Sequence, residues 1–355
     1  MDIKKELSIF KEEFDIVLEK FFNDIIEESK KKDNLIVGAL KHVKRITMSG
    51  GKRLRPALMF YGYMGVGGDR RKEILQASIS VELIHTFLLI HDDIIDRDNK
   101  RHGVMTTHLK YENMHKSLFW NDSSEHFGTA MAIIIGDMVA ALGNQALYCS
   151  KFKADILIKA LRKLQEVVAN TVIGEAKDVL ISFRGDATEK EILDVCNLKT
   201  AKYTIESPLQ LGAILANADE ELLRQISKLA IPMGIAFQIQ DDILGVFGSE
   251  KKIGKPVGSD IAEGKQTILV SQVRKMGDKD QVREINSMLG KSKITIDEVE
   301  KFRNIIIETG SLDYAKDLVK KYIKKSKEEI LKVDLNKKSR EFLMGIADYM
   351  MEREF

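Results

Sequence analysis

Apolar residues recur along most of this chain at the three-to-four-residue spacing of a helix face. Residues from Ile3 to about Glu28 mix apolar and charged positions this way, and Lys30-Lys31-Lys32-Asp33 reads as a solvated break. A second helix is predicted from about Leu35 to Ile46. Pro56 suits the first turn of a third. Further helices are expected from about Lys72 to Arg97, Phe127 to Tyr148, Asp155 to Leu180 and Glu220 to Phe247. Pro208 is placed to kink a helix. The stretch from Lys110 to His126 is polar and reads as an inserted loop without assigned function. The Phe127 segment is expected to be buried, since Gly128, Ala132, Gly136, Ala140 and Gly143 permit close contact, in the core or against a second copy. From Ile268 to Phe355 the chain reads as charged helical scaffold. With only 4 prolines in 355 residues, the fold class is all-α, taken as a single domain over 1–355.

Composition narrows the function by exclusion. A net charge of +2 gives no reason to expect nucleic acid. The 2 cysteines, Cys149 and Cys196, form no metal or disulfide pattern; both read as small core residues in a reducing cytoplasm. Met1-Asp2-Ile3-Lys4-Lys5-Glu6 lacks the profile of a signal peptide. The longest apolar run, Ala130 to Leu142, is interrupted by Asp137 and too short to span a bilayer. A cytoplasmic protein without stable membrane insertion is therefore expected.

The candidate chemistry begins at Ile84–Asp96, an apolar helical run ending in Asp92-Asp93-Ile94-Ile95-Asp96. Asp92 and Asp96, at i and i+4, share a face, where like charges repel. Such an end calls for a cation, and carboxylate oxygens suit Mg²⁺ shared with substrate phosphate. A second apolar run, Phe237 to Gly245, ends in Asp241-Asp242. Two acidic helix ends suggest a diphosphate held between bridging metals. The loop Gly50-Gly51-Lys52-Arg53-Leu54-Arg55-Pro56, placed before a helix, is a ready anion site.

These motifs, in this order, resemble the trans-isoprenyl diphosphate synthases of the polyprenyl synthetase family, from about Gly50 to Thr267, and the pattern around Phe87 is similar to archaeal-type geranylgeranyl diphosphate synthases. The resemblance implies a helical bundle around a deep central cavity, typically homodimeric. It implies two substrates, isopentenyl diphosphate and an allylic diphosphate, with two or three Mg²⁺ ions on Asp92, Asp96 and Asp241, and Asp93 and Asp242 as further candidates. Lys52, Arg55 and His85 would hold isopentenyl diphosphate. Arg101, Lys199, Lys255 and Lys265 would meet diphosphate, while Thr200 and Gln238 border the reacting end. The family's Arg-Arg-Gly is here Arg101-His102-Gly103, and His102 loses its charge near neutral pH. Gly245 stands where many relatives have a third aspartate, and Glu175 where many have glutamine. Leu88 lies about 40° round the helix from Asp92 and Phe87 about 140°. Helix geometry alone thus favours Leu88 as a lining residue, whereas the resemblance adds Phe87 as the floor that sets product length. The expected function is condensation of the two diphosphates, to geranylgeranyl diphosphate. Farnesyl or longer products, and a non-catalytic partner subunit, are alternatives. A terpene cyclase is disfavoured by the Lys52, Arg55 and His85 set.

Overall fold

Helix α1 (Ile3–Ser29) starts where the Asp2 carboxylate accepts the amide protons of Lys4 and Lys5. It buries Leu7, Phe10, Phe14, Leu18, Phe22 and Ile26, one stripe at intervals of three and four. Each such side chain contributes about 1.5–3 kcal/mol of apolar burial. In this computed structural model, which describes residues 1–118, 123–248, 258–291 and 293–351, the same logic repeats along the chain. Asp33 caps α2 (Asn34–Met48), and α3 (Leu54–Gly65) and α4 (Arg71–Ile95) follow. Then come α5 (Thr107–Leu118), α6 (Ser124–Tyr148), α7 (Ala154–Arg184) and α8 (Glu189–Val195). A π-helical segment (Cys196–Glu206) leads into α9 (Ser207–Leu215) and α10 (Glu220–Phe247). The short α11 (Ser259–Ala262) precedes α12 (Ile268–Met276), α13 (Lys279–Met288), α14 (Ile296–Glu308), α15 (Ser311–Ile330) and α16 (Lys337–Met351). The main hydrophobic core draws side chains from Ile3 to Met350. The fold class is all-α, as the periodicity implies.

Three expectations need correction and a fourth is narrowed. Lys110–Leu118 is not loop: it belongs to α5, which buries Thr107, Tyr111 and His115 against α6. That three-to-four spacing is present but sparse among polar residues. Helix α6 is buried within the chain on one face, and Ile133 and Ile134 are exposed on the other, which narrows its expected burial to the core side alone or to the core on one side and a second copy on the other. Cys149 is exposed, just past the end of α6, while Cys196 is buried. Finally, α4, α6 and α10 are each long and apolar enough, by length and composition, to cross a membrane. In α4 and α10 the apolar surface is spent on the bundle instead: 72% and 67% of their most apolar windows are buried, against 39% for α6.

The bend expected at Pro208 takes a different form. Proline has no amide proton and its ring crowds the preceding turn. Here the turn before it widens, and Ser207 N–H reaches back five residues to the Lys202 carbonyl. Two glycines pin this segment. A Cβ at Gly174 of α7 would lie 2.6 Å from Lys199 N, and one at Gly234 of α10 would lie 2.3 Å from Ala201 Cα. Lys199 and Thr200 are thereby fixed between α7 and α10.

Candidate active site

The ends of α4 and α10 face one cavity of about 570 Å³. Asp92 and Asp96 enter from α4 and its end, Asp241 and Asp242 from α10, Asp178 from α7 and Asp260 from α11. Lys52, Arg101, Lys199 and Lys265 line the same space, and Leu89, Ile192, Val195, Cys196 and Leu244 form its apolar part. Six carboxylates in one hollow would repel strongly without these cations.

At the first acidic end, negative charge accumulates where the helix dipole is already negative. Arg101 offsets it, donating to Asp93 (2.8 Å), Asp92 (3.3 Å) and Asp98 (3.1 Å). A two-stranded hairpin, Lys100–Arg101 paired with Val104–Met105, presents Arg101 there. Its two-residue turn puts His102 and Gly103 at φ 50° and 77°, the geometry that glycine tolerates best. Asp93 is 1% exposed, and burial pushes its carboxyl up to about 7 against the pull of Arg101. It faces Arg101 and is not among the residues lining the cavity, so Asp92 and Asp96 are the better metal candidates of this motif.

At the second end, Thr200 donates to Gln238 (2.5 Å) and Gln238 donates to Asp242 (2.8 Å). Burial pushes Asp242 up to about 8, with Gln238 opposing and nearby Asp260 adding to the rise. Lys199 lies between Asp178 (2.8 Å) and Glu175 (2.7 Å). Burial alone would lower its pKa, but Asp178 and Glu175 hold it above the ordinary lysine value. Lys265 pairs with Asp260 (3.0 Å) and Glu263 (3.3 Å). Lys255 lies outside the described residues.

The basic loop divides its cations. Arg53 is 2% exposed and bonds Asp15 (2.6 Å) and Glu82 (2.5 Å), so it is a buried strut rather than part of an anion site. Lys52 lines the cavity, bonds the Tyr349 hydroxyl and sits 4.7 Å over that ring. Arg55 lies 4.5 Å over the Tyr203 ring and donates to Thr204 (2.8 Å), with its buried Nε unpartnered. His85 stands beside the same ring. Burial, then Arg55 and Arg101, drive its pKa well down, so it is neutral. Arg55 and His85 thus form a second polar cluster beside the cavity rather than in its lining. His102 packs its ring against Gly50, where a Cβ would come within 2.5 Å. Burial and Arg101 lower its pKa; it braces the glycine loop and is absent from the cavity lining.

Leu89 lines the cavity, whereas Leu88 and Phe87 do not. Phe87 is buried, edge-on to His91 at 4.9 Å. A Cβ built on Gly136 would lie 2.3 Å from His91 Nε2, so that glycine makes room for the His91 ring. Sequence reading also gave no role to Asp178, Asp260 and Tyr349, which come to the cavity or its border only through the packing of α7, α11 and α16.

Carboxylate oxygens are the donors a hard divalent ion requires. Among the described residues no three His, Cys, Asp or Glu side chains converge to hold one unaided. An ion on Asp92 and Asp96, or on Asp241, would complete its shell with water and phosphate oxygens. An all-α bundle with facing acidic helix ends and surrounding cations is the make-up of an enzyme that acts on a diphosphate through a divalent metal.

Comparison with known proteins agrees. The polyprenyl synthetase family model matches residues 39–306. The chain is 31% identical over 344 residues to geranylgeranyl diphosphate synthase of Saccharolobus solfataricus, covering 95% of this chain and 98% of that one. It is 33% identical over 310 residues to geranylfarnesyl diphosphate synthase of Aeropyrum pernix, covering 86% and 91%. The crystal structure of geranylgeranyl pyrophosphate synthase from Corynebacterium glutamicum, complexed with isoprenyl diphosphate and magnesium, superposes over 100% of both chains with TM-score 0.91 and 27% identity. The chain belongs to the polyprenyl synthetase family and is a trans-prenyltransferase. The family works on isoprenoid diphosphates with a divalent metal.

Proposed function

We propose that this enzyme condenses isopentenyl diphosphate with an allylic diphosphate and releases geranylgeranyl diphosphate. The observation that carries the reading is the shared cavity, into which Asp92, Asp96 and Asp241 project with Lys52, Arg101, Lys199 and Lys265. Two or three Mg²⁺ ions on these aspartates would supply Lewis-acid neutralisation of the leaving diphosphate. Arg101, Lys199 and Lys265 stabilise the charge that grows on its oxygens. Lys52 and Arg55, with neutral His85, orient the second diphosphate. Thr200 and Gln238 border the allylic cation, and Leu89, Ile192, Val195 and Leu244 keep water from it. The alkene of isopentenyl diphosphate attacks that cation, and the proton then lost goes to the released diphosphate.

The kinship with a geranylfarnesyl synthase supports a second reading, in which growth continues one unit further. The enzyme is also read as a homodimer: Ile158, Val172, Ile173, Leu180 and Phe183 are exposed on one face of α7, and Ile133 and Ile134 are exposed on α6. Incubation of the purified chain with labelled isopentenyl diphosphate, Mg²⁺ and each allylic primer tests the activity. Extractable labelled product of one dominant length is expected; no incorporation with any primer refutes the proposal.

A further inference from the structure

Away from the active site, a second hollow of about 360 Å³ lies between α15 and the end of α16. Ile323, buried in the core, lines it, together with Leu331 and Met351, which are exposed to solvent. Lys320, Lys324 and Lys327 also line it, and their spacing of four and three places them in one row with Leu331. Lys320 pairs with Asp317 (2.9 Å), Lys327 pairs with Asp348, and Lys324 makes no ion pair among the described residues. Glu328 is the one carboxylate in the lining. The row belongs to a longer basic run. From Lys316 to Lys327, α15 carries six lysines and one acid, Asp317, whereas the whole chain carries only +2, so the remainder is net acidic. The other flank of α15 is committed to the core through Ala315, Val319, Ile323, Ser326 and Ile330.

We infer that this face is a docking surface for an anionic lipid bilayer, on which the enzyme lies without inserting a helix. A molecule that is acidic elsewhere is turned by a negatively charged surface until its basic helix faces it. Charge alone would suit any polyanion. Leu331 and Met351, exposed beside the lysine row, suit one whose charges overlie hydrocarbon: ammonium groups meet headgroup phosphates while the two apolar side chains and the lysine stems enter the leaflet boundary. The face is also close to the chemistry. Tyr349, two residues before Met351 on α16, bonds Lys52 at the cavity. A lipid product released there would have a bilayer within reach. That purpose rests on the prenyl-transfer reading; the docking itself rests on the face alone.

The test is co-sedimentation of the purified full chain with vesicles of phosphatidylcholine, alone or mixed with phosphatidylglycerol. The variants are Lys320→Gln/Lys324→Gln/Lys327→Gln and, as a control with the same change in charge on exposed lysines elsewhere, Lys20→Gln/Lys30→Gln/Lys32→Gln. Circular dichroism checks that each is folded. Wild type should bind the anionic vesicles, ignore phosphatidylcholine and be released by salt. Each lysine near an anionic leaflet strengthens binding about fivefold, so the α15 triple variant should lose about a hundredfold and the control little. Leu331→Trp should shift its added emission to the blue on anionic vesicles. Wild type that does not bind anionic vesicles overturns the inference, as does an α15 triple variant that binds like wild type, a control that loses as much, or a Leu331→Trp emission that does not move. Capture by soluble polyglutamate but not by vesicles would assign the face to an acidic protein and overturns it too. Vesicle binding in a chain that incorporates no isopentenyl diphosphate leaves the docking surface standing and overturns the prenyl-transfer reading; incorporation without vesicle binding does the reverse.

Discussion

Replacing Arg53 with methionine separates a structural cation from its substrate-facing neighbours. Arg53 is enclosed by the two carboxylates it bonds, Asp15 at 2.6 Å and Glu82 at 2.5 Å. Asp15 keeps a second partner in Lys11, but Glu82 is left buried and uncompensated. Breaking such a pair from one side costs about 3–5 kcal/mol. Unfolding entropy of about 2.1 cal/mol/K per residue gives roughly 0.75 kcal/mol/K for this chain, so Tm should fall by about 4–7 °C. Adding Glu82→Gln should return part of that loss, since the stranded charge is removed. Lys52→Ala, by contrast, should raise KM for isopentenyl diphosphate with little change in Tm. Scanning calorimetry and initial rates measure both. An Arg53→Met protein with wild-type Tm and a raised KM would refute this division and return Arg53 to the anion site.

Glu175→Gln should lower KM for the allylic diphosphate several-fold, because Lys199 would lose one of its two carboxylate partners and move more freely to substrate; unchanged or higher KM contradicts this. Burial, with Lys110 and Arg45 nearby, drives His42 down to about 4. The unfolded chain takes up that proton below about 6.5 while the folded one does not. Stability should therefore fall as pH drops from about 6.5 to about 4, and His42→Leu should flatten that part of a Tm–pH profile; an identical slope would be inconsistent with it. Phe87→Ala should lengthen the product, seen by mass analysis. The same product with retained activity leaves Phe87 as core packing against His91.

Much of the helical frame was legible because long amphipathic stripes report burial directly. Helices α1, α4, α7 and α10 fall within a few residues of their expected limits. The facing of Asp92 and Asp241 was also legible, since helix spacing places each acid on a face and an apolar helix seldom ends in unpaired acids. What escaped depended on long-range contact. No local pattern distinguishes Arg53, buried on Asp15 and Glu82, from Lys52 one residue earlier. The Lys110–Leu118 helix has too few apolar positions to stand out. The π-helical widening before Pro208 answers to Gly174 and Gly234, which are remote in sequence. Tyr349, far along a charged tail, reaches Lys52 only through the packing of α16.

Diphosphate binding depends most on one electrostatic unit built from two helices. Isothermal titration of inorganic pyrophosphate, with and without Mg²⁺, into wild type, Asp92→Ala and Asp241→Ala reads it directly. Tight binding that requires Mg²⁺ and is lost in both variants is the expected result. Binding that is indifferent to Mg²⁺, or that survives loss of either aspartate in a folded variant, contradicts it.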